Sequence, residues 1–548
     1  MFPVSFAQRR LWFLNRMVET GAAYNSPMAF RLRGPLDRTA LAAALDDVAG
    51  RHELLRTVFP ESDGEPVQRV LDRCPRLETV RTTEERLAGA LAEAAGHAFD
   101  LTVELPVRAE LFSISSEEHV LSLVIHHIAT DGWSTEPLLR DLATAYETRH
   151  TGRSPQWEPL PVRYIDYTLW QRELLGTEDD PGSLLSQQLG FWQEELAGIP
   201  AELALPFDRP RPAVASPGFR MRRFAARISG VSERFGGMFV TRSITSSTEG
   251  ATLSPSSDAR AKSRASYAGG SVPVELDGAL HARLMELARE SGCTLFMALQ
   301  AGLAVLLSHF GAGTDIPVGT PVAGRADEAL DDLVGFFVNT LVLRTDLSGD
   351  PNFAQLLSRV RETDLAAYEH QDVPFERVVE ELNPLRSPAR HPLFQVMYTL
   401  ERGTGPALEL TGRDSRTTEV DFPVTEFDLA FRFTECQDGL RAVIKYSTGL
   451  FDRTTVDALA ARLRRVLEEA ADSPRRPLSR LDVLTPAERV QLLGGPLTDA
   501  APPATLRHDA VQTAFEAQVE RTPEAVALRA GRLNEAPRAR PALRRSSV

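Results

Sequence analysis

The strongest constraint on this chain is an apolar run, Val120-Leu121-Ser122-Leu123-Val124-Ile125, that stops abruptly at His126-His127-Ile128-Ala129-Thr130-Asp131-Gly132. A β-rich run of that length reads as a buried strand, and the residues behind it as a turn, with Gly132 at a sharp bend where a Cβ would be in the way. The pattern delivers an imidazole from a rigid element to a crevice edge. An imidazole there can take a proton from one group and return it to another, because its unperturbed pKa lies near neutrality. After the turn, Ser134 or Thr135 is placed to cap a helix carrying Leu138, Leu142 and Tyr146 on one side. A metal reading of His126, His127 and Asp131 is disfavoured, since neighbouring strand residues point to opposite faces and no third ligand stands out; no metal site is expected.

Strand and helix alternate on both sides of this motif. From Ser26 the residues alternate through Met28, Phe30 and Leu32, turn at Gly34-Pro35, and enter a helix capped by Asp37 with Leu41, Leu45 and Val48 on one face. A second α/β region begins near Gly269, where a strand over 271–276 leads to a helix with Leu280, Leu284 and Leu287, then to one through Leu299, Leu303, Leu306 and Leu307. The repeated order suggests a pseudo-duplicated α/β unit. Its total of 548 residues exceeds what one core organises, at roughly 150 residues per domain.

Composition narrows the class of partner. A net charge of −14, from 75 acidic against 61 basic residues, gives no general basic surface, so neither nucleic acid nor an anionic membrane is expected. Three cysteines, Cys74, Cys293 and Cys436, lie far apart and suggest neither a disulfide framework nor a zinc site. No stretch approaches about 18 apolar residues and the N-terminus has no signal-peptide core, so a soluble cytoplasmic protein is expected.

Several separated blocks carry a family resemblance. They are Ser5-Phe6-Ala7-Gln8-Arg9-Arg10-Leu11-Trp12-Phe13-Leu14, Arg51-His52-Glu53-Leu54-Leu55-Arg56-Thr57-Val58-Phe59, the His126-His127 motif, and Tyr164-Ile165-Asp166-Tyr167-Thr168-Leu169-Trp170. Then come Val334-Gly335-Phe336-Phe337-Val338-Asn339-Thr340, His370-Gln371-Asp372-Val373-Pro374-Phe375-Glu376, and a weaker block ending in His391-Pro392-Leu393. In this order they resemble a condensation domain of a nonribosomal peptide synthetase over about residues 3–450. Ser5-Phe6-Ala7-Gln8 and Asp131-Gly132-Trp133-Ser134 suggest the subtype that joins an L-configured donor to an L-configured acceptor.

The resemblance implies an α/β fold of two chloramphenicol-acetyltransferase-like lobes, a V-shaped pseudo-dimer with a central tunnel. An upstream peptidyl carrier protein would present an acyl or peptidyl thioester, and a downstream one an aminoacyl thioester whose amine attacks the donor carbonyl. The domain would bind no cofactor of its own, its substrates arriving on phosphopantetheine arms, and a monomer is expected. By position in the motif His127 is the catalytic histidine, acting as base or as positioner, and His126 is structural. Asp131 is expected to form a structural ion pair with Arg325, and Gly132 to let the tethered substrate approach the backbone. Asn339 is open between a substrate or oxyanion contact and strand-end hydrogen bonding. Tyr164, Tyr167, Trp170 and Trp12 read as packing.

The expected boundaries are 1–175 for the first lobe, 176–216 for an inter-lobe linker around Pro206, Pro210 and Pro212, and 267–450 for the second lobe. Between them, 217–266 holds nine Arg/Lys against three acids with a Ser/Thr-rich run and reads as a disordered insertion. Residues 451–510 look like a linker to an adenylation domain, and 511–548 like the truncated start of one with a disordered basic tail. On that reading an adenylation domain acts in trans, and the chain is a fragment or a broken synthetase product. The alternative from another class is a degenerate, non-catalytic module that only docks carrier proteins.

Overall fold

Four strands, β1 (Asn25–Arg33), β2 (Leu77–Arg81), β3 (Val107–Ser113) and β4 (Glu118–His126), lie in the order β1-β4-β3-β2. β4 runs antiparallel to both neighbours, with His126 opposite Asn25 and Glu118 opposite Arg33. Every residue from His119 to His126 is buried, so the unbroken apolar run belongs to a strand covered on both faces. Helices α1 (Phe6–Met17), α2 (Arg38–Arg51), α3 (Glu84–Ala95), α4 (Thr135–His150) and α5 (Tyr164–Leu175) contribute to the same core. Asp37 closes the first turn of α2, its Oδ1 accepting from the amides of Thr39 and Ala40 at 3.0 Å each.

This computed structural model describes residues 1–17, 22–211 and 267–490, apart from 385, 386, 388, 389, 404–406, 411, 412, 421, 437, 486 and 487. The expected insertion at 217–266 and the adenylation-like segment at 511–548 lie outside the described residues. Residues Met1–Val483 form one unit. Of the other, Leu484–Val548, the described residues include Thr485, whose amide and hydroxyl both donate to Glu488.

The second lobe is built on β5 (Gly269–Leu276), β6 (Asp315–Val322), β7 (Asn339–Asp346) and β8 (Val396–Arg402). After β9 (Asp414–Thr417) it is completed by β10 (Leu429–Cys436) and β11 (Gly439–Ser447), in the order β7-β6-β8-β10-β11-β5. β9 leaves this sheet and pairs antiparallel with β1, extending the first lobe's sheet. Around the second core stand α6 (Leu184–Glu195), α7 (Gly278–Glu290), α8 (Leu295–Leu307), α9 (Phe353–Glu369), α10 (Phe375–Leu382) and α11 (Arg453–Asp472).

Two expected boundaries move. The stretch placed at 176–216 as a linker carries α6, and Leu185, Leu189, Trp192, Leu196, Leu203 and Leu205 are buried in the second core. Pro206 and Pro210, which suggested a linker, follow a helix whose apolar residues recur at helical spacing. Likewise the second lobe does not end at 450: Val456, Leu459, Leu463, Val466 and Leu467 of α11 line one stripe buried in that core, followed by Leu478 and Leu481.

Residues Leu295–Ala312 are long and apolar enough to cross a membrane, where no such stretch was expected, yet 67% of this span is buried. α8 is the central helix of the second core, which accounts for its all-round apolarity.

The chain also crosses between lobes after β6. Leu330, Leu333, Val334 and Phe337 pack into the first core, as do Leu408 and Leu410 ahead of β9. These crossings bring residues of the second half against the loop that follows β4.

Candidate functional site

His126 ends β4, and the chain turns at once into a short 3-10 turn, His127–Ala129. His126 is 2% exposed, and its Nδ1 accepts from the Ile128 amide at 3.1 Å, so this imidazole caps the turn. Burial, reinforced by its neighbour His127, pushes its pKa down to about 3. It is neutral at physiological pH and occupied by its own backbone.

His127 is half-buried and oriented differently. Its amide donates to the Tyr24 carbonyl at 2.8 Å, tying the turn to the residue before β1. Its Nδ1 lies 3.1 Å from the Thr130 carbonyl, an acceptor, so Nδ1 carries the proton and the lone pair stands on Nε2. Burial lowers the pKa; the positive charge of Arg432 on β10 acts in the same direction, against the Thr130 hydrogen bond and Asp131. A neutral imidazole with a basic Nε2 results, and the Phe336 ring packs 6.2 Å from it.

Asp131 is the hub of the turn. Its Oδ1 accepts from the Ser134 amide at 2.8 Å and the Ser134 hydroxyl at 2.7 Å, and its Oδ2 from the Phe337 amide at 3.0 Å. Arg325 Nη2 lies 3.3 Å from Oδ1, with side chains 5% and 0% exposed for Arg325 and Asp131. The same guanidinium donates to the Leu330 carbonyl, to the Leu333 carbonyl at 2.9 Å and to Ser134 Oγ at 3.0 Å, and stacks 4.1 Å over the Phe337 ring. The structure thus brings Asp131 and Arg325 together through a network that joins the histidine turn to the crossing segment 325–337.

Two expectations are corrected, and of the two alternatives for Asn339 the structure shows strand-end hydrogen bonding. Ser134 does not cap α4 with its side chain. Its hydroxyl is engaged by Asp131 and by Gly335, whose amide donates to it at 3.1 Å, while the Asp131 carboxylate receives the amide at the helix start. Gly132 needs no glycine-only conformation, and a Cβ built there meets nothing within 4 Å; the turn leaves open space where crowding was expected. Asn339 has no amide left for a substrate or an oxyanion. Its Nδ2 donates to the carbonyls of Gln371 and Val373 at 2.8 Å each, and its Oδ1 accepts from Thr340 and Phe375 at 2.9 Å each. This is the strand-end bracket that holds β7 to α10.

Residues of the opening block, and Tyr164, which was read as packing, also support the site. Ser5 and Gln8 form a capping box at the start of α1, and Gln8 Nε2 reaches across to donate to the Ile128 carbonyl at 3.0 Å. Tyr164 donates to the Phe336 carbonyl at 2.6 Å, a contact between the crossing segment and α5. The S-x-x-Q spacing carried the capping signal, but no local pattern encodes the reach to Ile128. Trp170, expected to pack, is 40% exposed.

The family model described as Condensation domain matches residues 1–234 and 245–493. The chain is 46% identical over 541 residues to CymA of Salinispora arenicola, named as a probable non-canonical nonribosomal peptide synthetase, covering 97% of this chain and 6% of that protein. It is 45% identical over 536 residues to a dimodular nonribosomal peptide synthase of Bacillus subtilis, covering 96% of this chain and 20% of that protein. It therefore spans a fifth or less of the length of these relatives. Among solved structures, the X-domain in complex with OxyB from teicoplanin biosynthesis superposes with a TM-score of 0.75 at 37% identity, covering 88% of this chain and 96% of that one.

Proposed function

The chain belongs to the condensation-domain family, and from that premise we propose that it joins a carrier-bound acyl or peptidyl thioester to the amine of a carrier-bound aminoacyl thioester. The observation that carries this reading is the state of His127: neutral, with Nδ1 committed to the Thr130 carbonyl and Nε2 left as a base. An α-amino group has an unperturbed pKa near ~7.7–8 and must shed a proton before and during attack. In the proposed step the amine nitrogen forms a bond to the thioester carbonyl carbon, His127 Nε2 takes the nitrogen's proton, and the C–S bond breaks. That proton then passes to the departing thiolate of the donor arm. Alignment by the two lobes adds to this, since a thioester is already activated and well-oriented reactants reach effective molarities of roughly 10⁵ M or more.

Asp131, Arg325 and Ser134 hold the turn and do not enter the chemistry. The partners on this reading are donor and acceptor peptidyl carrier proteins bearing phosphopantetheine, with the acceptor loaded by an adenylation domain. The open space at Gly132 suits passage of such an arm. Mixing the chain with loaded donor and acceptor carriers and searching for the dipeptidyl thioester by mass spectrometry tests the proposal; no product from the wild-type chain would refute it.

A docking role without catalysis is the second reading. It is favoured by the likeness to a domain solved together with a second protein, OxyB. The same experiment separates the two, because a docking module binds loaded carriers and returns them unreacted.

A further inference from the structure

Four consecutive residues of the crossing segment are pinned through their backbone by side chains of the first lobe. The Val334 amide donates to His52 Nδ1 at 3.4 Å, and the Gly335 amide to Ser134 Oγ at 3.1 Å. The Phe336 carbonyl accepts from Tyr164 at 2.6 Å, and the Phe337 amide donates to Asp131 at 3.0 Å. Val334, Gly335 and Phe337 are buried, whereas Phe336 is only half-buried. Its ring centroid stands 6.2 Å from that of His127 with the planes tilted by 52°, a separation at which aromatic rings pack. The segment thus fixes its backbone at every residue and presents one ring beside the imidazole.

Of the four pins, Tyr164 is the one that acts on Phe336 itself. A carbonyl can only accept, so the Tyr164 hydroxyl spends its proton there, and the Ser5 hydroxyl, 3.0 Å away, is the donor to Tyr164 Oη. Ser5 Oγ in turn accepts from the Gln8 amide at 3.1 Å, and Gln8 Nε2 holds the Ile128 carbonyl. The start of α1 therefore grips both the turn that carries His127 and, through Tyr164, the residue that carries the ring. Around the Tyr164 ring there is no slack: it is buried, it packs 5.1 Å from the Phe337 ring, and a Cβ on Gly335 would come within 2.4 Å of it. Phenylalanine would serve that packing equally. The hydroxyl costs desolvation that its hydrogen bonds must offset, and both of those bonds run to parts that hold the site.

We propose that Tyr164 is a positioning residue for His127: its hydroxyl holds the Phe336 ring beside the imidazole, fixing the imidazole's orientation and keeping water from that side. The inference rests on the reading of His127 as the group that takes the amine's proton. Three other groups bear on the imidazole: the Thr130 carbonyl and Asp131 on its own turn favour its charged form, and Arg432 of β10 opposes it. Tyr164→Phe leaves all three in place, so what changes at His127 is the hold on Phe336 and the water that the ring excludes.

The test is the titration of His127 in the full chain without carriers, followed by NMR of labelled histidine and assigned by the signal missing from His127→Gln. In Tyr164→Phe the ring loosens and water reaches the imidazole, so His127 should titrate at a pH about 0.5 or more above wild type. The His126 signal should not move, since its ring packs against Phe99, 6.1 Å away. Phe336→Ala should move His127 at least as far, and adding Tyr164→Phe to it should move His127 no further. With loaded carriers, Tyr164→Phe should lower kcat about tenfold at an unchanged KM for the acceptor. A wild-type titration of His127 in either variant would overturn the proposal. So would additive shifts, a shift shared by His126, or an undiminished kcat. Because the titration needs no turnover, a chain that titrates as stated and forms no dipeptidyl thioester would refute the proposed reaction and leave the positioning standing.

Discussion

Arg325→Ala tests the network that holds the histidine turn. The substitution strands a carboxylate, Asp131, whose side chain is fully buried, leaving it with the two donors of Ser134 and the Phe337 amide. It also removes the donor to the Leu330 and Leu333 carbonyls and the cation over the Phe337 ring. Breaking a buried pair from one side costs about 3–5 kcal/mol. Three remaining hydrogen bonds soften that figure, and carbonyls left without a donor restore some of it at about 1–3 kcal/mol each. A net loss of about 4 kcal/mol is expected. Because 325–337 packs into the first core while β6 belongs to the second, the loss should fall on the coupling of the lobes. Calorimetry of the variant should show an earlier and broader transition, and a double-mutant cycle with Asp131→Ala a coupling energy above about 2 kcal/mol. A stability change under about 1 kcal/mol, or additivity of the two substitutions, would refute the reasoning.

Gly132→Ala should leave the melting temperature within about a degree of wild type, since its Cβ meets no protein atom, yet lower condensation about tenfold or more by filling the space assigned to the substrate arm; undiminished turnover would contradict this. Asn339→Ala removes four hydrogen bonds and should cost about 2–3 kcal/mol in urea unfolding while the folded variant turns over within a few-fold of wild type. A folded variant without activity would return Asn339 to the site. Asp364 is buried with Oδ1 accepting from Gln300 at 3.0 Å and Oδ2 unpartnered, and burial pushes its carboxyl up to about 7. It stays protonated in the fold while the unfolded chain ionises, so stability falls as pH rises between about 4 and 7 and changes no further above that interval. Asp364→Asn should then raise the melting temperature by several degrees at pH 8, from about 2–4 kcal/mol, and leave it nearly unchanged at pH 4; an equal shift at both would contradict the assignment.

Local period made much of the fold legible. Met28, Phe30 and Leu32 lie on β1, Leu280, Leu284 and Leu287 bury one face of α7, and Asp37 caps α2. The same rule also held the signal for α6 and α11, where prolines and resemblance to a linker outweighed the apolar stripe of Leu185, Leu189 and Trp192. What local pattern does not encode is exchange between lobes: β9 pairs with a strand nearly four hundred positions earlier, and Phe337 fills the opposite core. The site divides in the same way. His127 stood out because a buried strand ends at it. The pairing of Asp131 with Arg325 came from family resemblance and not from spacing, and no rule of sequence diverts Ser134 from capping or commits all of Asn339's amide. Gly132 suggested a strained bend and instead borders open space.

The central claim is that His127 Nε2 takes the proton of the attacking amine, and single-turnover condensation between loaded carriers by His127→Gln measures it most directly. Gln can fill the position and accept a hydrogen bond but cannot hold a proton near neutral pH. The account predicts a loss of about 100-fold or more in the rate of dipeptidyl thioester formation, with an unchanged melting temperature. A Gln variant that condenses within about threefold of wild type would contradict it, and would leave His127 as a residue that only positions the amine.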